Sequence, residues 1–202
     1  MVHRRLLHDD HFGVGEPLNE PGVDGKGLII RGRHVLQLST LEEAGKSHRE
    51  AGREMFLEPI LSFVPDVAPY DVFSKSYHTE VSGLTKALPA NVHLLTLEQW
   101  SGGRLLLRLE HFFQRGEHAE LSKPVTVSLK GLFKHFEITA AQELTLAANQ
   151  DVSALKNRLK FKYTADGPVT EPAETKALNA QTMEVTLNPM QIRTFAVTVK
   201  RN

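Results

Sequence analysis

The sequence predicts a mainly β protein, one or two antiparallel sandwiches with a single amphipathic helix inserted near residues 40–56. Three observations carry that expectation. From Pro59 onward the apolar runs are short and are cut by Gly, Pro, Asp and Asn. The triplet Ser101-Gly102-Gly103 separates two such runs in the manner of a hairpin. Helical spacing occurs in one stretch only, so the strands lack the alternating helices that a parallel sheet needs. With 202 residues, 41% of them hydrophobic, the chain can bury a substantial core.

In chain order, LIIRGRHVLQL over residues 28–38 alternates well enough to be a strand pair or one bent strand, with Gly32 at its bulge or turn. Ser39 with Glu42 and Thr40 with Glu43 are overlapping capping boxes. Leu41, Ala44, His48, Ala51 and Met55 then recur at spacings of three and four, the apolar stripe of a helix ending by Pro59. Lys46, Arg49, Glu50, Arg53 and Glu54 form its expected solvated face. Gly45 and Gly52 each cost about 1 kcal/mol relative to Ala, so tertiary packing has to hold the helix.

Residues 60–64 read as a further strand, and the region around Pro65, Asp66 and Pro69 as loop. Residues 92–97 and 104–113 form the hairpin. In its second strand Leu105, Leu107, Leu109 and His111 share one face, while Arg108 and Glu110 share the wetter one. Strands are also expected at residues 125–129, 136–146, 159–163, 183–187 and 192–200, with residues 164–180 as a surface excursion. This organisation divides the chain into a β-rich segment, residues 1–90, carrying the helix and a polar loop at 3–17, and an antiparallel sandwich, residues 91–202.

Lys plus Arg and Asp plus Glu each number 24, so no long-range field steers polyanions, and nucleic acid is not an expected partner. No apolar run is long enough to cross a bilayer, and the opening residues lack the apolar centre of a signal peptide. The absence of cysteine excludes disulfides, thiolate metal sites and a cysteine nucleophile, and no Asn lies in an Asn-x-Ser/Thr acceptor.

The densest chemistry is at the start, where Arg4, Arg5, Asp9, Asp10, His3, His8 and His11 precede Gly13 and Gly15. A metal site here is disfavoured by spacing: His3 and His8 share neither a helix face nor a strand face, and adjacent Asp9 and Asp10 point apart in an extended chain. Two neighbouring carboxylates cannot flank a sugar as a glycosidase pair must. The physical use expected of them is a network in which Arg4 or Arg5 grips a carboxylate and fixes the loop against a polar ligand. His93 and His111, set among leucines, read as satisfied structural histidines. Trp100 reads as a lid on the core, with sugar stacking as its alternative. No Ser-His-Asp arrangement, phosphate loop or dinucleotide fingerprint is present.

Four spaced stretches nonetheless share one likeness. MVHRRLLHDD continuing through GVGEPLNE, then LPANVHLLTLEQW with LLLRLEHFF, then PVTVSLKGLF with ITAAQELTLAANQ, and finally VTLNPMQIRTFAVTV together resemble the C-terminal half of glycoside hydrolase family 38, the class II α-mannosidases, in its lysosomal branch. The resemblance implies a fragment of a retaining α-mannosidase, whose zinc and Asp nucleophile belong to an N-terminal β/α barrel. By that resemblance this chain supplies no catalytic residue and no metal ligand. Its partners are the barrel and mannose-containing glycans, and its compartment is the lysosome or secretory pathway. The resemblance also implies that Arg4, Arg5, Asp9, Asp10, Gly13 and Gly15 form a loop near the substrate pocket, with Phe12 standing where the family commonly has Arg. The rival expectations are a stand-alone carbohydrate-binding module and a plain interaction protein.

Overall fold

A computed structural model describes residues 4–13, 15–65, 68–157 and 175–202, which fall into two compact units, residues 1–37 and 38–202. The expected features at His3, Asp66, residues 159–163 and most of the 164–180 excursion lie outside the described residues.

Among its described residues the larger unit holds two α-helices, α1 (Leu41–Phe56) and α2 (Tyr70–Ser76), followed by six strands: β1 (Val92–Gln99), β2 (Leu105–His111), β3 (Val125–Ser128), β4 (Phe136–Leu144), β5 (Glu184–Leu187) and β6 (Ile192–Arg201). Every strand pairing is antiparallel. One sheet runs β1-β2-β6-β4 and the other pairs β3 with β5. Trp100 N–H donates to the Arg104 carbonyl at 2.8 Å to close the β1–β2 hairpin. Gly102 and Gly103 supply its two positive φ angles, 69° and 71°, which other residues adopt at a cost.

The core lies between the two sheets. Leu107 and Leu109 of β2 and Phe195 and Val197 of β6 meet Val127, Leu129, Val185 and Leu187, all buried. The inward face expected for β2 is therefore observed. Its opposite face is less open than expected: Leu106 is buried, and Arg108 and Glu110 are half-buried. Arg108 is drawn across that face, donating to the Leu146 carbonyl and to Thr96 Oγ1.

Of the two candidate caps for α1, Thr40 is used: its Oγ1 accepts the Glu43 N–H at 3.4 Å. The helix lies where the sequence places it, but its faces are exchanged. Leu41, Ala44, His48 and Met55 of the expected apolar stripe are exposed. Arg49 and Arg53 of the expected solvated face turn toward the segment after β2: the Arg49 guanidinium meets Glu117, and that of Arg53 lies 4.6 Å over the Phe112 ring.

Two strand expectations are corrected. Residues 28–38 and 60–64 carry no strand, and Ile29, Leu36, Leu38, Ile60, Leu61 and Phe63 are exposed. No named strand precedes Val92 among the described residues. Alternation favours a strand only where a neighbour offers its backbone groups and a second layer takes the apolar face. Helix α2 follows the region of residues 65–69 and has no counterpart among the expected elements. It starts at Pro69, has Asp71 in its first turn and Lys75 in its last, and stacks Phe73 on Tyr77 at 4.6 Å.

Candidate functional site

The polar opening loop is built on turn chemistry. Asp9 Oδ1 accepts the His11 N–H at 2.6 Å and Asp10 Oδ1 accepts the Phe12 N–H at 3.0 Å, two successive Asx turns. They carry the chain through His11 at φ 59° and Gly13 at φ 144°. His11 Nδ1 also lies 3.2 Å from Asp9 Oδ1, and a Cβ at Gly15 would sit 3.8 Å from Asp9 Oδ2. The base of the loop is closed by the Leu6 N–H donating to the Leu18 carbonyl at 2.8 Å.

This geometry separates the groups that the sequence sets together. His8, Asp9, Asp10, Phe12 and Glu16 line one concavity of about 430 Å³. Arg4 and Arg5 line another of about 220 Å³, with Glu20 and Lys26. Arg5 Nε donates to Asn19 Oδ1 at 2.5 Å, so its partner is a neutral amide and not a carboxylate of the loop. The expected Arg–Asp network is not formed: Arg5 is turned to Asn19, and each aspartate accepts the backbone N–H two residues on. Phe12 is exposed.

One oxygen of each aspartate is committed to a backbone N–H, and the described residues bring no three His, Asp or Glu side chains together as ligands.

His111 is the satisfied core histidine that its setting suggests. Fully buried, it accepts the Phe113 N–H at Nδ1 (3.3 Å), which places the ring proton on Nε2, 3.0 Å from the Lys123 carbonyl. Asn91 beside it donates to the Leu121 carbonyl at 3.1 Å, so the strand end and the following loop are tied together. His93 is half-buried with Nδ1 3.3 Å from Glu110 Oε2, and Trp100 is half-buried at the hairpin turn.

Two constellations went unread in the sequence. Arg193 on β6 is 2% exposed, and its Nε and Nη2 grip both oxygens of Glu143 on β4 at 2.7 and 2.5 Å. Its Nη1 donates to the Thr186 carbonyl of β5 at 3.0 Å, so one guanidinium joins the two sheets. Nothing in the pattern of β6 announces this, since an arginine at an alternate strand position ordinarily faces water.

The second is the clamp on α1. Arg49 Nε lies 3.0 Å from both oxygens of Glu117, whose carboxylate also accepts the Gln114 N–H at 2.8 Å. Burial pushes the Glu117 carboxyl up, but the Gln114 N–H and the Arg49 guanidinium outweigh it and leave the group below its ordinary value. Gly45 is part of the same contact: a Cβ there would overlap Glu117 Cγ and lie 3.2 Å from the Glu117 carbonyl oxygen. A glycine that weakens a helix was the available signal for that close approach.

Residues 91–195, from the buried Asn91 to the core Phe195, match the model of the family described as glycosyl hydrolases family 38 C-terminal beta sandwich domain. The chain belongs to glycosyl hydrolase family 38. Across 99% of its length it is 45% identical to a lysosomal alpha-mannosidase of Cavia porcellus and 43% identical to that of Homo sapiens. It is 35% identical over 98% of its length to an alpha-mannosidase of Arabidopsis thaliana. The chain spans about a fifth of the length of these relatives. The family 38 match takes in the Arg193 clasp, His93, Trp100 and His111. The Arg4–Gly15 loop precedes it and is covered by the full-length likenesses to the mannosidases. Among the described residues, no helix is long and apolar enough to cross a membrane.

Proposed function

We propose that this chain is the β-sandwich portion of a lysosomal-type retaining α-mannosidase, which supports a catalytic β/α barrel and lines the mannoside pocket with the Arg4–Gly15 loop. The observation that carries the reading is the end-to-end likeness to lysosomal alpha-mannosidases in a chain that spans a fifth of their length. The substrate class is α-mannosides of glycans, the compartment is the lysosome, and zinc belongs to the barrel.

In this reading the chain's own residues orient and exclude; they do not attack the sugar. The Asx turns at Asp9 and Asp10 hold the loop in one shape, which lowers the entropy lost when a substrate hydroxyl is bound. Asp10 is exposed, and the second oxygen of its carboxylate is available to accept a sugar hydroxyl. Arg5, through Asn19, anchors the stem of the loop. Phe12 offers an apolar edge where the family commonly has a guanidinium, so that position contributes contact area and not a charged hydrogen bond.

The test is hydrolysis of p-nitrophenyl α-mannoside. The purified chain with added zinc should show no turnover above buffer, and mixing it with the separately produced barrel should restore activity that Arg5→Ala lowers. Zinc-dependent release by the chain alone would overturn the supporting role. Equal activity of the Arg5→Ala assembly would remove Arg5 from the pocket loop.

A further inference from the structure

Helix α1 and the β1–β2 hairpin enclose a groove of about 560 Å³ within the larger unit. Phe56, Leu95 and Phe112 supply apolar wall, and Arg53, His93 and Glu110 supply the polar groups. His93 faces Glu110, and Arg49 at the edge is taken by Glu117. Arg53 is half-buried over the Phe112 ring, and among the described residues no carboxylate meets it. A cation stripped of part of its water in an apolar groove attracts an incoming anion more strongly than one on open surface does.

The groove is continued by the misplaced stripe of α1. Leu41 is 94% exposed and Phe56, which lines the groove, is 88% exposed, with Met55 beside it in sequence exposed as well. Large apolar side chains left open beside an apolar groove mark an interaction face. The relatives carry four times as much polypeptide again as this chain spans, so a covering segment from the same polypeptide has ample source.

We propose that this groove and the exposed stripe of α1 seat an amphipathic segment of the catalytic portion of the same enzyme. That segment brings apolar side chains to Phe56 and Met55 and a carboxylate to Arg53. The inference rests on the supporting role proposed above. It goes further in naming α1, and not the sandwich faces, as the docking element, and an acidic, apolar segment as its partner. A second copy of this chain would bring a second unpaired Arg53 to a two-fold contact, which disfavours self-association.

The experiment measures association of the 202-residue chain with the separately produced catalytic portion, by sedimentation, for wild type, Arg53→Glu, Phe56→Asp and the control Lys200→Glu. Both groove variants alter exposed or half-exposed side chains, and thermal unfolding of each verifies the fold. Wild type and Lys200→Glu should associate alike, and Arg53→Glu and Phe56→Asp should each weaken association at least tenfold. If wild type associates and the groove variants match it, the docking site is refuted while the supporting role stands. If wild type fails to associate, both readings fall. Self-association of the chain that Phe56→Asp abolishes would assign the face to a second copy and overturn the proposal.

Discussion

Residues 28–64 and residues 92–113 are both rich in large apolar side chains, yet only the second stretch buries them. In the hairpin, β1 and β2 hydrogen-bond to each other, β6 pairs on the far side of β2, and the β3–β5 sheet covers the inner face. In the earlier stretch Ile29, Leu36, Phe56, Ile60 and Phe63 lie open. The difference teaches that an apolar period specifies which side of an element seeks cover, and that cover has to be supplied by another element. The sandwich supplies its own.

The sharpest way to break this contrast is Phe195→Ala, which removes a fully buried ring from the centre of the sandwich. It should destabilise the chain by about 3–5 kcal/mol, read from chemical unfolding midpoints at constant slope.

Glu143→Ala should come next. It strands the Arg193 guanidinium in the core, at a cost of about 3 kcal/mol. The double replacement Glu143→Leu with Arg193→Met should lose much less, because no buried charge is left unmatched. A double variant as unstable as the single would show that the clasp is not the source of the loss.

Gly45→Ala separates the helix from the sandwich. The substitution favours the isolated helix by about 1 kcal/mol. The new Cβ nevertheless collides with Glu117. Hydrogen exchange at α1 amides should quicken, while the thermal midpoint of the sandwich stays in place.

The clamp also carries a pH signature. The Glu117 carboxyl is held below its ordinary value of about 4.5, so its contribution is present in full above that pH and is lost as pH falls through the lowered folded value. Exchange protection of α1 should therefore persist through mildly acidic pH and decline below about 4.5, and Glu117→Gln should remove that decline. Loss of protection already near neutrality would contradict the assignment. Smallest of all, Ile60→Asp should shift the stability of this chain by less than about 0.5 kcal/mol, since Ile60 is 97% exposed.

Local sequence carried the reading well where the determinants are themselves local. Thr40 and Glu43 announce the helix start three residues apart, and Gly102-Gly103 announces the hairpin through conformations that few other residues reach cheaply. Strands β3, β4, β5 and β6 lie within two residues of their expected ends, because alternation is a property of consecutive side chains. The face of α1 was misread for the opposite reason: the charged side counts as solvated until Glu117 and Phe112, some sixty residues away, are brought against Arg49 and Arg53. The loop was misread in a similar way. The nearness of Arg4 and Arg5 to Asp9 and Asp10 in the chain suggested an ion pair, whereas Arg5 is turned to Asn19 and the carboxylates accept backbone N–H groups two residues on.

By itself, the amino-acid sequence determined where β1 to β6 lie, the hairpin turn, the helix cap and the family likeness, since each depends on residues within a few places of one another or on their linear arrangement. Only the tertiary structure decided which face of α1 meets protein, that Arg193 rather than a leucine crosses between the sheets, and that residues 28–38 remain unpaired. Those outcomes depend on hydrogen-bond partners and excluded volume contributed by distant segments, and a one-dimensional pattern holds no record of which distant group will arrive first.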